Sequence, residues 1–289
     1  MNLDWSIIRK QNLMKTKQLN YNIYPSLLDA YQQYVDSDII WEKYWGFCET
    51  PPHTPEEFHK IQFQAVIDRI NRVPYDNEAV AKGTAFNEVV DCMIEHRKSD
   101  KVEVEKVYEK IIEGACDPHN GMPLYCDVTD TGKFIGLNAK IGERVFFFPI
   151  GVCKEFADYY KGAVTQKYVE GILPTAFGNV KLYGFIDELM PLSVHDIKTT
   201  SQYSVGKYKR NSQHLVYPFC LMQMGNDVRT FEYNVAVIGK YNYETFTESY
   251  EFVPSRDIPV LQHKCEDFIQ FLEDNRELIT DKKIFNDGN

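Results

Sequence analysis

The sequence predicts an α/β fold, a small mixed β-sheet flanked by helices, with a helical part ahead of it. Three observations carry this. Helical periodicity dominates roughly the first hundred residues; β-prone runs and one helix then follow in the order β-β-β-α-β; and an amphipathic pattern closes the chain from Pro254 to Ile279. With 289 residues, 44% hydrophobic and 26% charged, the composition is that of an ordinary globular chain able to bury a sizeable core. We divide it into a helical N-terminal region, 1–76, and a core, 77–289, with an insertion at about 116–149.

Residues 1–20 are polar, with Arg9, Lys10, Lys15 and Lys17 against one acid, Asp4: either a basic arm that touches a phosphate backbone or a loosely packed terminus. Ser26 after Pro25 reads as the N-cap of a helix to Val35, with Leu27, Leu28, Tyr31 and Tyr34 at helical spacing. Trp41, Tyr44, Trp45 and Phe47 form an aromatic patch that either packs the interior or stacks an unpaired base. Thr54 with Glu56 and Glu57 starts a helix that runs to about Arg72 and ends before Pro74.

A helix from about Asn77 buries Val80, Phe86, Val89, Val90, Met93 and Ile94, and Gly83 allows it close approach to another backbone. Lys101 to Glu113 reads as a further helix. From Cys116 to Pro149, turn signals at Asp117-Pro118, Asn120-Gly121, Asp130 to Gly132 and Ile141-Gly142 separate short β-prone runs, predicting a hairpin or a lid. His119 in that stretch is either a ligand or an exposed turn residue. Val152 to Lys161 reads as a helix, Ala163 to Leu173 as a strand carrying Glu170, and Tyr208 to Met224 as a helix interrupted or kinked at Pro218. Thr230 to Ile238 and Thr245 to Phe252 are the remaining strands.

The chemistry concentrates between Lys181 and Leu221. KLYGFIDEL is a β-prone run with Gly184 where the strand bends or something approaches closely, and it ends at Asp187. In VHDIKTT the strand period puts Val194, Asp196 and Lys198 on one face and His195 and Ile197 on the other. Two carboxylates at the ends of consecutive strands can hold Mg²⁺ or Mn²⁺, and the ammonium beside them can orient water or stabilise a pentacovalent phosphorus. Gln213 and Tyr217, one turn apart on the next helix, share a face that could reach one phosphate. This chemistry is metal-assisted phosphodiester hydrolysis.

The order G-x-I-D, D-x-K, Q-x-x-x-Y, preceded by GTAFNEVVDCMIEH, resembles the PD-(D/E)XK nuclease superfamily in its RecB-like and phage exonuclease branch, over about residues 80 to 240. The resemblance implies a restriction-endonuclease-like core and a Mg²⁺- or Mn²⁺-dependent DNA exonuclease of recombination, repair or phage DNA processing. It implies Asp187 and Asp196 as metal ligands, with the Ile197 carbonyl completing the shell. It also implies Lys198 as the catalytic lysine, and Gln213 and Tyr217 as residues that orient phosphate or water. Asn87 stands where the branch carries histidine, so either Glu88 supplies a carboxylate in its stead or the first ligand is absent. A second reading keeps the fold and weakens the activity, making the chain a nucleic-acid-binding or structural subunit of a larger complex.

The formal charge of −10 argues against bulk nucleic-acid affinity, yet from Lys198 to Arg210 there are four cations and no acid. The expected substrate is DNA, as a single strand or at duplex ends, with a protein partner or a second copy supplying further positive charge. Seven cysteines without a C-x-x-C pair fit neither a zinc knuckle nor a disulfide framework. Downstream of the motifs only Cys220 and Cys265 remain, so no iron-sulfur cluster is expected. No signal peptide or membrane span is indicated, and the expected setting is the reducing cytoplasm of a bacterium or a phage-infected host.

Overall fold

The computed structural model describes residues 19–116, 123–239 and 242–285. The basic arm and His119 lie outside the described residues. In chain order, β1 (Leu19–Ile23) leads into α1 (Pro25–Val35), α2 (Ser37–Trp45), α3 (Pro55–Ile70) and α4 (Glu78–Ile94). Next come β2 (Glu103–Cys116), β3 (Pro123–Ile141), β4 (Arg144–Pro149) and α5 (Ile150–Tyr159). The remainder is β5 (Val164–Thr175), β6 (Gly178–Leu189), β7 (Ser193–Thr200), α6 (Gln213–Gln223), β8 (Thr230–Ile238), β9 (Tyr243–Glu251) and α7 (Pro254–Asp274). The fold is α/β, with mixed sheets flanked by helices.

Helix starts follow the side chains that cap them. Thr54 and Glu57 form a reciprocal capping box at α3, at 2.9 and 3.2 Å. Asn77 Oδ1 accepts the Ala79 N–H at 2.7 Å at the head of α4. At α1 the expected cap is displaced by two residues: Tyr24 is the N-cap and Pro25 takes the first helical position, where its missing N–H costs nothing.

Three expectations are corrected. Residues 101–113 are not helical: from Glu103 they form β2, paired antiparallel with β3. Val102, Val104, Val107, Tyr108 and Ile111 are β-branched or aromatic, and a partner strand decides what the interleaved Glu and Lys leave ambiguous. The inserted sheet β2-β3-β4 therefore begins earlier than 116. The N-terminal region is not purely helical either, because β1 pairs in parallel with β6. Last, α6 begins at Gln213 rather than Tyr208, with turns before it, and runs through Pro218 to Gln223.

The six-stranded sheet runs β1-β6-β7-β8-β9, with β5 also on β6. Along one edge, β6 is paired by β5 at every residue but Asp187. Along the other, β1 pairs it only to Leu182 and β7 only at Glu188 and Leu189. Residues 183–187 therefore face a window in the sheet.

Each face of the sheet has its own core. On one, Val180, Leu182, Ile186, Val194, Phe231 and Val235 pack with α1, α3, α6 and α7. On the other, Ile197, Ala236 and Ile238 meet α4, α5 and the three-stranded sheet. There Phe86 packs edge-on against Phe148 and Phe156, at 5.2 and 5.3 Å between ring centroids. Truncating a fully buried Phe of this kind costs about 3–5 kcal/mol. The two ends of the described chain meet: Tyr21 donates to Glu273 Oε1 and Asn22 to the Lys283 carbonyl, both at 2.8 Å. Among the described residues no helix is long and apolar enough to cross a membrane.

Candidate active site

β6 and β7 stay paired for only two residue pairs, Glu188 with His195 and Leu189 with Val194, and then part. The Ile197 N–H, released from strand pairing by that fork, donates to Asp187 Oδ2 at 3.0 Å. Asp187 points to the face of the sheet opposite Ile186, and Asp196 to the face of Val194, so the carboxylates come to the fork from opposite sides. Lys198 follows Asp196 on the same face. Its Nζ lies 2.6 Å from Asp196 Oδ2, an ion pair outside good hydrogen-bond angles, and donates to Gln213 Oε1 at 2.9 Å. Gln213 Nε2 donates in turn to Asp196 Oδ1, closing an Asp-Lys-Gln ring. Gln213 reaches both because it opens α6.

Burial, then the neighbouring Asp196, pushes the Asp187 carboxyl up to about 7. Burial likewise raises Asp196, against the opposing pull of Lys198 and Gln213. Lys198 is driven down by burial, but Asp196 and Asp187 outweigh this and keep it a firm ammonium. A third carboxylate stands near Lys198. Asp29 of α1 accepts the Ser212 N–H at 2.6 Å, and burial lifts it to about 6 against the pull of Ser212 and Lys198. Tyr217 is buried, and its phenol is pushed well above 10 by burial, Asp196 and Asp187, so it stays a neutral donor. Its ring fills the space of an absent side chain, since a Cβ on Gly184 would lie 2.8 Å from Tyr217 Cε1.

The structure brings Asp187, Asp196, Lys198, Gln213 and Tyr217 together and separates Glu88 from them. Glu88 is 3% exposed, with Arg97 at 2.6 Å, Ser99 at 2.8 Å and Lys101 at 3.3 Å on its carboxylate. Burial pushes it up, but these bonds together outweigh burial and hold it at about 2. Glu88, expected as a metal ligand, is thus held by Arg97 and Lys101 and does not join Asp187 and Asp196. Asn87 Nδ2 donates to Asp187 Oδ2 at 3.2 Å, and Asn87 Oδ1 is buried without a hydrogen-bond partner. Gly83 lets α4 come this near, since a Cβ there would lie 3.3 Å from Thr199 Oγ1.

Ile197 enters the site through its N–H. Glu170 pairs with Lys181 at 2.6 Å and accepts from the Tyr168 hydroxyl at 2.7 Å. Asp29 was not legible in the sequence, because nothing distinguishes it there from a solvent-facing acid. Asp91 and Glu188 are also buried; burial and then Asp91 push Glu188 up to about 10. Among the described residues no three His, Cys, Asp or Glu side chains converge as a metal cluster.

The basic segment after β7 folds back on its own start. Lys207 donates to Thr200 Oγ1 at 2.6 Å and to the Gln202 carbonyl at 2.7 Å; it is held below its usual pKa by burial and by Lys43 of α2. Arg210 pairs with Asp36. The aromatic patch divides: Trp45 packs edge-on against Phe58 at 5.1 Å, whereas Tyr44 and Phe47 are exposed.

No protein-family model matches this chain, and no curated protein matches it. Among solved structures, the crystal structure of SSO0001 is similar with a TM-score of 0.38 and 9% identity, over 91% of this chain and 81% of that one. A likeness at that distance bears on neither family nor activity.

Proposed function

We propose that this chain is a metal-dependent DNA nuclease on a restriction-endonuclease-like core, acting as an exonuclease in recombination, repair or phage DNA processing. The observation that carries the reading is the meeting of Asp187, Asp196 and Lys198 at the fork between β6 and β7, with Gln213 bonded to the last two. Fold stability alone asks for no such arrangement, since two buried acids side by side are a cost.

The donor set suits Mg²⁺ or Mn²⁺, which take oxygen ligands, often only one or two carboxylates, and keep several waters. Asp187, Asp196 and the Ile197 carbonyl would hold the ion, and the unpartnered Asn87 Oδ1 is a further oxygen beside Asp187. A bound ion would polarise a phosphoryl oxygen and make hydroxide available at neutral pH. The chain's own residues do the rest. Lys198 holds the attacking water and faces the charge that grows on phosphorus. Gln213 fixes Lys198 and Asp196 against each other, and the Tyr217 hydroxyl steadies the phosphate. One P–O bond forms from water as the bond to the leaving oxygen breaks.

The test is cleavage of end-labelled linear and closed circular DNA with Mg²⁺, with Mn²⁺ and with EDTA, alongside Asp196→Ala. Metal-dependent loss of the linear substrate alone, absent in the variant, is the expected result. Cutting of the circle would make the enzyme an endonuclease. No cutting with either metal would favour a second reading, a weakened nuclease fold serving as a DNA-binding subunit, for which the amide of Asn87 and the withdrawal of Glu88 speak. The basic segment at Lys207 to Arg210 supports DNA as the partner of either form. A partner protein or a second copy would offset the net charge of −10.

A further inference from the structure

The window in the sheet opens into a cavity of about 330 Å³. Gln213 and Tyr217 form its inner wall, so the cavity adjoins the Asp196-Lys198 pair through a shared side chain. Its outer wall is chemically mixed. Phe185 presents a ring that is 56% exposed, an unusual place for a large apolar group, and Tyr24 and Tyr183 meet edge-on beside it at 5.7 Å.

Arg72 stands at the mouth. Its backbone is left-handed (φ 55°), a conformation uncommon outside glycine, and its Nε is tied to Asp281 at 2.6 Å. α1 begins in the same wall at Pro25 and Ser26, with no side-chain cap; Pro25 has no N–H and the Leu27 N–H is taken by the Tyr24 carbonyl at 3.0 Å, which leaves the Ser26 N–H facing the wall. A guanidinium beside a backbone N–H is a phosphate-binding combination. An exposed aromatic ring is a stacking surface for a base. The volume lies at the low end of the roughly 300–1,000 Å³ of small-molecule sites, enough for a single nucleotide and far too small for a duplex.

We infer that this cavity binds one unpaired nucleoside 5′-phosphate unit, its phosphate on Arg72 and the start of α1 and its base against Phe185. The inference rests on the nuclease reading only for the claim that the unit belongs to the substrate; the binding itself does not need cleavage. Tyr217 would then stand between the bound nucleotide and the carboxylates, so that the neighbouring phosphodiester reaches Lys198 and Gln213.

The experiment is calorimetric titration of the full chain, in EDTA, with thymidine 5′-monophosphate, thymidine, inorganic phosphate and the dinucleotide pTpT. The monophosphate should bind at least tenfold tighter than either thymidine or phosphate. Phe185→Ala, at an exposed position, and Arg72→Ala should each weaken it at least fivefold, in proteins whose thermal melts remain cooperative. Tighter binding of pTpT marks a unit within a strand and equal binding a free nucleotide; both uphold the inference. No binding to the wild type, equal affinity for phosphate, or a folded Phe185→Ala protein with unchanged affinity overturns it. DNA cleavage without nucleotide binding would sink the cavity and spare the nuclease reading. Binding without cleavage under any metal would do the reverse.

Discussion

The side-chain amide of Asn87 donates to Asp187 Oδ2 at 3.2 Å, so α4 delivers a hydrogen-bond donor where a third carboxylate would complete a metal cage. Asn87→Asp should therefore tighten Mn²⁺ binding at least tenfold at pH 8. The metal-free protein should melt several degrees lower, because a third acid joins two that already repel. Calorimetric titration and melts in EDTA would check both.

Asp187 is also the source of a pH dependence. Its folded carboxyl sits at about 7 against an ordinary 3.8, so the folded state holds the extra proton between those values. Stability must then fall as pH rises from about 4 to about 7. Asp187→Asn, which can still accept the Ile197 N–H, should be as stable as wild type at pH 4. At pH 8 it should be more stable, by a few kcal/mol at most, since each pKa unit is worth about 1.36 kcal/mol. Denaturant melts in EDTA at the two pH values would test this, and equal stability at pH 8 would remove Asp187 as the cause.

Lys198→Ala should lower cleavage at least a thousandfold and leave Mn²⁺ binding in place, whereas Asp187→Asn should lose both. Lys198→Arg should not restore activity. The 2.9 Å bond to Gln213 Oε1 fits a compact ammonium, and a planar guanidinium cannot occupy the same point. Single-turnover cleavage with each protein separates the cases.

Glu88→Gln should cost about 2 kcal/mol of stability, as expected when a buried charged acceptor is replaced under its donors, and should not change Mn²⁺ affinity. The sign with pH is opposite to that of Asp187. Held at about 2 rather than 4.5, Glu88 stabilises the fold above pH 4.5 and loses that contribution as pH falls toward 2. The gap between wild type and variant should therefore close in acid. Loss of metal binding in Glu88→Gln would return Glu88 to the site.

Neutralising Lys43, Lys207 and Lys209 together should weaken DNA binding and flatten its dependence on salt, by about one unit of log-log slope for each phosphate that these lysines neutralise in the wild type. Filter binding across a salt series would measure it. An unchanged slope would mean that the strand runs elsewhere.

What the sequence made legible was local. Period-two alternation in VHDIKTT was enough to place Asp196 and Lys198 on one face, and Thr54 and Asn77 marked their helix starts. The rest depended on partners far away in the chain. Residues 103–113 satisfy a strand or a helix until β3 lies beside them. β1 is too short to announce its pairing with β6. Glu88 and Asn87 differ by only about 100° around their helix. Only the seating of α4 against β7 decides which of them meets Asp187.

The stitching of Tyr21 to Glu273 and of Asn22 to Lys283 spans 252 and 261 residues. Contacts that distant in sequence form late, after the loop between them has closed. During synthesis, β1 waits first for β6 and then for the segment around Phe285, about 100 residues further on, or roughly 5–20 s at about 5–20 residues per second. α1, which brings Asp29 to Lys198 and Ser26 to the cavity, directly follows that strand. The nascent chain therefore carries its two acids and its lysine for some seconds before the frame that aligns them is complete, and whatever chemistry the fork performs waits on the segment around Phe285.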